Sequence, residues 1–552
     1  MFPARFTYSL QSAFYEQYYQ KILQFNIIVF AKYIEFFNKI CYYIVKLNKK
    51  VGIVMFKKFI SVLLCMCMLA TTVVITASAA PAKTVSNVNY KITNPYESVT
   101  EYLGNPDNHY KTNLHTHSTI SDARVTLPEM VKAHYEENFD ILAMTDHGVI
   151  GKKWYERPTH YYLMRIATIG NSIMEKDDFY KEQYDVLSKE EYDAIVSGTY
   201  EFDEGKNFQP SMNILFSEKS DRKYGRGMQC VTSGIELSAA SVMECHVNSF
   251  FSDFGECYSG LLKNEGNYEY YLNGVENAGG VSIINHPGHY LNSKHNPENA
   301  LKEGQIVYFG DLLNKYKSCL GIETFNNTDG DTASCRAFWD KLLQYVIPHG
   351  ERNVFGFSNS DAHYLRHIDT EFMDFILPSY SQDNFRKAME TGTFFATGRV
   401  AENENELGSR FIANGCVPQV TSLTVDDEND IITVTAKNAE RIEWVANGNV
   451  IEKSVSTNEK GELVSVIKLR EHSDDITCYV RFQIFGKGGY CYSNAFICDD
   501  GNMSRFIIKD SRNPIVIFFD KLWRKLTENI IGAAIQCAVW YISNEIYYAK
   551  LD

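Results

Sequence analysis

The 552-residue chain has 13 cysteines without a single Cys-X-X-Cys pair, 54 basic residues against 68 acidic ones, and no apolar run in its tail as long as a membrane span. Each shortage excludes something. The cysteines offer no paired-thiol motif. A net charge of −14 argues against sequence-independent nucleic-acid binding, which needs a basic surface to meet the phosphates. The apolar run at 530–542 is shorter than the ~20 residues of a spanning helix. Leu63-Leu64 ahead of Cys65 lacks the small residue that lipoprotein processing requires. Cys478 and Cys491 could face one another on neighbouring strands, but spacing does not settle connectivity, and buried free thiols are the preferred reading.

What is present begins with an export signal in an unusual place. Met55-Phe56-Lys57-Lys58 is a charged start, 59–75 is apolar, and Ala77-Ser78-Ala79 is a small-residue cleavage site. Read from Met55, 55–79 is a secretory signal peptide. Residues 1–54 read as an upstream extension, with a long membrane-inserted leader as the alternative. The expected location is secreted or cell-envelope associated. After a linker at 80–109, the chain is long enough for a large enzyme domain with accessories.

From Thr112 onward strands and helices alternate. Strands are expected at 112–117, 140–145, 230–237, 245–251, 281–285, 319–325 and 354–358, and helices at 127–137, 268–278, 333–345 and 382–391. Such alternation predicts an α/β fold with a parallel barrel. Residues able to bind metal recur at the carboxyl ends of these strands, where parallel α/β folds place their chemistry. Side chains alternate along a strand, so His115 and His117 in Asn113-Leu114-His115-Thr116-His117 face one way and can share a cation. Asp122 follows on a turn, and Thr145-Asp146-His147 closes the next strand. Gly234-Ile235-Glu236, His246, Asn285-His286-Pro287-Gly288-His289 and Ser360-Asp361-Ala362-His363 come later. Imidazoles and carboxylates together outline a first-row metal site.

This ordered set resembles the polymerase and histidinol phosphatase (PHP) superfamily of metal-dependent phosphoesterases, over residues 110–399. The positions that carry the likeness are His115, His117, Asp122, His147, Glu236, His246, His286, Asp361 and His363. The resemblance implies a distorted (β/α)7 TIM-like barrel at 110–400 and three divalent cations, Mn, Fe or Zn. One would take His115, His117, Glu236 and Asp361. A second would share Glu236 and add His246 and His286, and the third would take Asp122, His147 and His363. With Glu236 as bridge, two cations would stand roughly 3.5–4 Å apart, and a metal-bound hydroxide would attack the ester in a reaction centred on Glu236 and Asp361. Asp146 is expected to orient a ligand, and His289 is a candidate acid for the leaving group. Arg399, Arg222 and Arg226 are candidates for holding a phosphate, since Arg offers a planar fork of donors. His134, His160, His295, His349, His367 and His472 lack motif context and are expected to be structural.

The stretch 149–228 reads as an insertion that would lie over the site as a lid. Short alternating strands at 410–500 predict a small antiparallel β-sandwich. The tail at 513–550 predicts an amphipathic helix packed on its own protein, with membrane-surface contact as the alternative. The expected function is an exported, metal-dependent hydrolase of a small-molecule phosphoester. A hydrolase of carboxyl or carbamate esters with the same metals is one alternative, and a non-catalytic metal- or anion-binding protein is the other. Nucleic acid is not the expected partner.

Overall fold

The structure is a computed structural model that describes residues 88–158, 185–201, 226–239, 245–255, 267–293, 296–330, 332–350, 352–404, 408–413 and 415–527. The expected extension at 1–54, the expected signal peptide at 55–79, Arg222, much of the expected insertion at 149–228 and the end of the tail lie outside the described residues, as do His160 and His295. The chain divides into two compact units, Met1–Lys83 and Thr84–Asp552, and every described residue belongs to the second.

Ten strands position the site: β1 (His109–Asn113), β2 (Ile141–Ala143), β3 (Gln229–Val231), β4 (Ile235–Ala239), β5 (Cys245–Phe250), β6 (Val281–Ile284), β7 (Cys319–Asn326), β8 (Phe355–Asn359), β9 (Glu371–Ile376) and β10 (Phe394–Gly398). They form a mixed α/β fold of two sheets with no clear barrel. One sheet runs β10-β9-β1-β2-β3, the other β4-β5-β6-β7-β8. Nor are all neighbours parallel, as the alternation predicts: β5 opposes both β4 and β6, and β9 opposes both β1 and β10. Part of the reason is in the spacing. Only residues 240–244 separate β4 from β5, and a parallel crossover needs a dozen or more.

The single strand expected at 230–237 is two. Ser233 turns left-handed at φ 68°, and a Cβ at the next residue, Gly234, would lie 2.8 Å from the Met144 carbonyl oxygen. That close crossing of β2 carries the chain from one sheet to the other. The sheets touch through two single bridges, Thr116 with Ala362 just beyond the carboxyl ends of β1 and β8, and His147, beyond β2, with Glu236 near the start of β4.

Helices cover the outside. Leu127–Glu136 starts in a capping box, with Thr126 and Glu129 satisfying each other's backbone N–H, and Leu127, Met130, Val131 and Tyr135 bury one face at helical spacing. Tyr268–Asn277 and Cys335–Gly350 lie close to their expected bounds, and Glu303–Lys315 is an additional helix. Inside Cys335–Gly350, Trp339 is buried and donates its indole N–H to the Val354 carbonyl at 2.7 Å. Burial of a large apolar side chain of this kind stabilises by roughly 1.5–3 kcal/mol.

The carboxyl-terminal part is a two-layer antiparallel sandwich. Gln419–Asp426, Ile431–Lys437 and Leu463–Lys468 form one layer. Its buried Leu423, Ile432 and Val434 share a core with Trp444, Phe482 and Phe496 of the other. That second layer is continuous with the site-bearing sheet, because Gly489–Ser493 pairs antiparallel with β10. Just beyond it Asn494 ties this strand to β8 and to the start of β10. Its amide oxygen accepts the Gly356 N–H at 3.0 Å, and its amide nitrogen donates to the carbonyls of Gly392 at 2.9 Å and Phe394 at 3.3 Å. Its own N–H donates to the Tyr96 hydroxyl at 2.8 Å.

All eight described cysteines are free. Cys491 stands in register with Ile484, so it does not face Cys478, whose backbone carbonyl instead accepts the Cys498 N–H. In the tail, Pro514–Thr527 is helical and is tied to the body by Arg524, which donates to the Tyr290 hydroxyl and to Gln305. Its Ile515, Val516, Phe518 and Leu522 are exposed. Among the described residues no helix is long and apolar enough to cross a membrane.

Candidate metal centre

His115 and His117 lie beyond the end of β1, not on it. The alternation still holds because Thr116 stays bridged between the ends of β2 and β8: Thr145 N–H donates to the Thr116 carbonyl, and His117 N–H to that of Ala362. Both imidazoles therefore turn to one side. Glu236 on β4 arrives beside them through the His147 bridge. His246 stands on β5, His286 follows β6, and Asp361 and His363 follow β8. His286 and Asp361 both have positive φ, 23° and 46°, a conformation that non-glycine residues keep only where the surroundings hold it.

Glu236 is the centre of the arrangement. Its Oε1 lies 3.3 Å from His115 Nε2, 3.0 Å from His246 Nδ1 and 3.5 Å from His286 Nε2, while Oε2 lies 3.2 Å from His117 Nε2 and 3.0 Å from His147 Nδ1. Asp361 Oδ1 is 3.3 Å from His115 Nε2 and 3.1 Å from His117 Nε2. At the outer edge Asp122 approaches His363 at 3.2 Å and His147 at 3.5 Å. All nine residues named for metal thus come together. Their donor atoms fall into four groups, each within 4.8 Å: His117, Asp122, His147 and His363; His115, His117 and Glu236; His115, His286 and Asp361; and His147, Glu236 and His246.

The electrostatics follow from burial of so many ionisable groups. Burial opposes charge on His115, yet Asp361, Glu323 and Glu236 hold it well above the ordinary imidazole range. His117 is likewise driven up to about 10 against burial by its contacts with Asp361 and Glu236. Burial would raise Glu236 and Asp361, but the surrounding imidazoles hold both well below the usual carboxylate range. A divalent cation would take over the role of these protons, since metal ligands must be deprotonated.

The donor set fits such a cation. His115 Nε2, His117 Nε2, His246 Nδ1 and Asp361 Oδ1 are buried and make no well-formed hydrogen bond within the protein. Buried polar atoms left in that state cost on the order of 1–3 kcal/mol each, and imidazole nitrogen with carboxylate oxygen is the chemistry of Mn, Fe and Zn sites.

The other expected residues are placed differently. Asp146 touches no imidazole: its Oδ1 accepts from the Ser118 and Ser121 N–H groups and the Ser121 hydroxyl, and its Oδ2 from the Ser118 hydroxyl. It shapes the loop that presents Asp122. His289 is exposed, its ring centroid 6.0 Å from that of His286. Arg399 pairs with Asp369 at 2.8 Å and donates to the carbonyls of Gly415 and Gly488, which binds it into the scaffold. Arg226 stacks on Tyr110 and pairs with Asp140 at 3.1 Å. Asp140 precedes β2 and His147 follows it, so Arg226 sits at the strand end away from the metal-binding groups.

Two partners escaped the sequence reading. Asn285 donates to Glu236 Oε1 at 2.8 Å. Glu323, fully buried on β7, accepts a hydrogen bond from His115 Nδ1 at 2.9 Å. A charged residue inside the apolar run Cys319-Leu320-Gly321-Ile322-Glu323-Thr324-Phe325 was the available signal for the second.

No family model and no curated protein matches the chain. In structure it is similar to a two-domain protein from Bacteroides vulgatus containing a predicted PHP-like metal-dependent phosphoesterase, at 11% identity and TM-score 0.33, over 71% of this chain and 87% of that one. It is similar also to PsfC from Pseudomonas syringae, at 14% identity and TM-score 0.25, over 50% and 85% of the two chains. A third is an amidohydrolase from Chromobacterium violaceum with bound sulfate and no metal, at 14% identity and TM-score 0.24, over 46% and 87%. Likeness this distant assigns no activity to the chain, which is left to its own side chains.

Proposed function

We propose that the protein is a metal-dependent hydrolase of a phosphoester, with His115, His117, Asp122, His147, Glu236, His246, His286, Asp361 and His363 holding up to three divalent cations. The observation that carries this reading is the convergence of buried, unsatisfied imidazole and carboxylate atoms on Glu236. Bound there, divalent cations would supply Lewis acidity and water made acidic enough to attack near neutral pH. The residues themselves do the rest. Glu236 offers one oxygen to His115, His246 and His286 and the other to His117 and His147, the disposition of a carboxylate that bridges. Asn285 holds that carboxylate in place. Asp122, 43% exposed at its side chain, marks the open edge through which an ester would enter, beside His363. His289, exposed beyond His286, is the group for protonating the leaving oxygen.

The same reading takes the two sheets as a distorted seven-stranded ring, β1-β2-β4-β5-β6-β7-β8, and the two bridges between the sheets support it. It also takes the protein as exported through a signal peptide at 55–79. A secreted product beginning near Ala80 is expected, and one that retains Tyr18 or Tyr33 overturns that part. Purified protein loaded with Mn, Fe or Zn should turn over nitrophenyl phosphate or bis-nitrophenyl phosphate. Turnover of nitrophenyl acetate alone replaces the phosphoester with a carboxyl ester, and full metal loading with no turnover makes the protein a metal-binding one.

A further inference from the structure

We propose that Glu323 is a positioning residue that sets His115 and His286 as metal ligands together; the inference rests on the metal-dependent reading above. Glu323 lies fully buried near the carboxyl end of β7, and its carboxylate has four donors. Oε1 accepts from His115 Nδ1 at 2.9 Å and from the Asn359 amide at 3.0 Å. Oε2 accepts from the His286 backbone N–H at 3.0 Å and from the Asn326 amide at 2.8 Å. Those donors come from just beyond β1 and β6 and from the ends of β7 and β8, so one side chain staples four strand ends.

Two consequences bear on ligation. A carboxylate oxygen in this contact can only accept, so His115 carries its proton on Nδ1. The Asn326 amide, 3.4 Å from the same nitrogen, offers it no acceptor. Once a cation takes the place of the other ring proton, the lone pair is therefore on Nε2, the atom that lies 3.3 Å from both Glu236 and Asp361. Second, the His286 peptide adopts φ 23° and ψ 59°, a conformation that needs support, and the Glu323 bond to its N–H is part of that support. An orienting carboxylate behind a ligating imidazole typically governs metal affinity by 10–100-fold. Here it would govern two ligands at once.

Glu323→Gln is the sharpest test. The amide must turn its NH2 either toward His115 Nδ1 and Asn359 or toward His286 N–H and Asn326, setting donor against donor in both cases. Zinc titration by calorimetry, with metal content after dialysis, should show E323Q folded as judged by circular dichroism and binding zinc about 10–100-fold more weakly than wild type. Zinc affinity equal to wild type overturns the proposal. A second measurement needs no variant at position 323: in zinc-loaded wild type labelled with 15N-histidine, the His115 signal, assigned by its loss in His115→Gln, should report a proton on Nδ1. Ligation of His115 through Nδ1 overturns the proposal even if E323Q fails to fold. Wild type that binds neither zinc nor manganese overturns the metal-dependent reading itself, and Glu323's role with it. Wild type that binds metal but cleaves no ester overturns only the hydrolase, and the affinity comparison still decides Glu323.

Discussion

Two buried polar clusters lie toward opposite ends of β8, and they are built by opposite rules. Toward the amino end, the Asn494 side chain meets one donor and two acceptors, all backbone groups of neighbouring strands and turns. Toward the carboxyl end, imidazoles and carboxylates crowd one another, and several of their inward atoms have no well-formed hydrogen bond. Saturation marks a cluster that holds the scaffold; convergent unsatisfied atoms mark one completed from outside. Histidine shows the contrast within a single residue type. Buried His134 has both nitrogens engaged, with Met130 and Asn113, and burial lowers it to about 4. Buried His117, facing Glu236 and Asp361, is raised to about 10.

Substitutions can break this comparison. The largest effect is expected from Glu236→Gln, which should cost at least about a hundredfold in turnover and lower the metal content while leaving circular dichroism unchanged. Near-normal rates would remove Glu236 from the centre. Asn494→Ala should do the reverse. It leaves the Gly356 N–H and two carbonyls unmet, so urea unfolding should show about 2–4 kcal/mol of lost stability, while turnover per folded molecule and metal content stay at wild-type values. If turnover falls instead, the two ends of β8 are not separable in function.

His134 sharpens the comparison through pH. Its folded-state value, about 4, lies below the ordinary 6.5, so the folded protein binds fewer protons than the unfolded chain between those values. The associated stability is present above pH 6.5 and is lost as pH falls toward 4, by about 3 kcal/mol in all. In urea unfolding, the advantage of wild type over His134→Gln should therefore shrink steadily from pH 7 to pH 4.5. An advantage independent of pH would mean that the imidazole is not kept neutral by burial. The smallest effect is reserved for Arg399→Gln, expected to cost about 1–2 kcal/mol through Asp369 and two carbonyls, with KM unchanged. A raised KM would restore Arg399 to substrate binding.

What was legible in the sequence was local. Alternation foretold that His115 and His117 share a direction, and it did so although they lie outside the strand, because Thr116 remains extended between two strand ends. Helix Leu127–Glu136 was legible to within one residue of its expected bounds. Strand direction was read as parallel, although the few residues between Ala239 and Cys245 are too short for a parallel crossover and the two strands pair antiparallel. Residues whose partners are remote in the chain were the least legible. Arg399 finds Asp369 and Gly488, and Glu323 finds His115 some two hundred positions away. An arginine or a glutamate carries no periodicity by which such a partner could be named. Asp146, expected to orient a ligand, instead accepts from the N–H groups and hydroxyls of Ser118 and Ser121, a target that no pattern of side chains announces.

The sulfur atoms have a consequence of their own. Six of the eight free thiols are buried, and burial holds Cys319 up to about 11 and Cys478 up to about 12. Since the thiolate is the form that attacks oxidants and disulfides, these positions are chemically quiet in the folded protein. Cys416 alone among the eight described is exposed, so brief treatment of the native protein with a maleimide should modify that residue before the other seven.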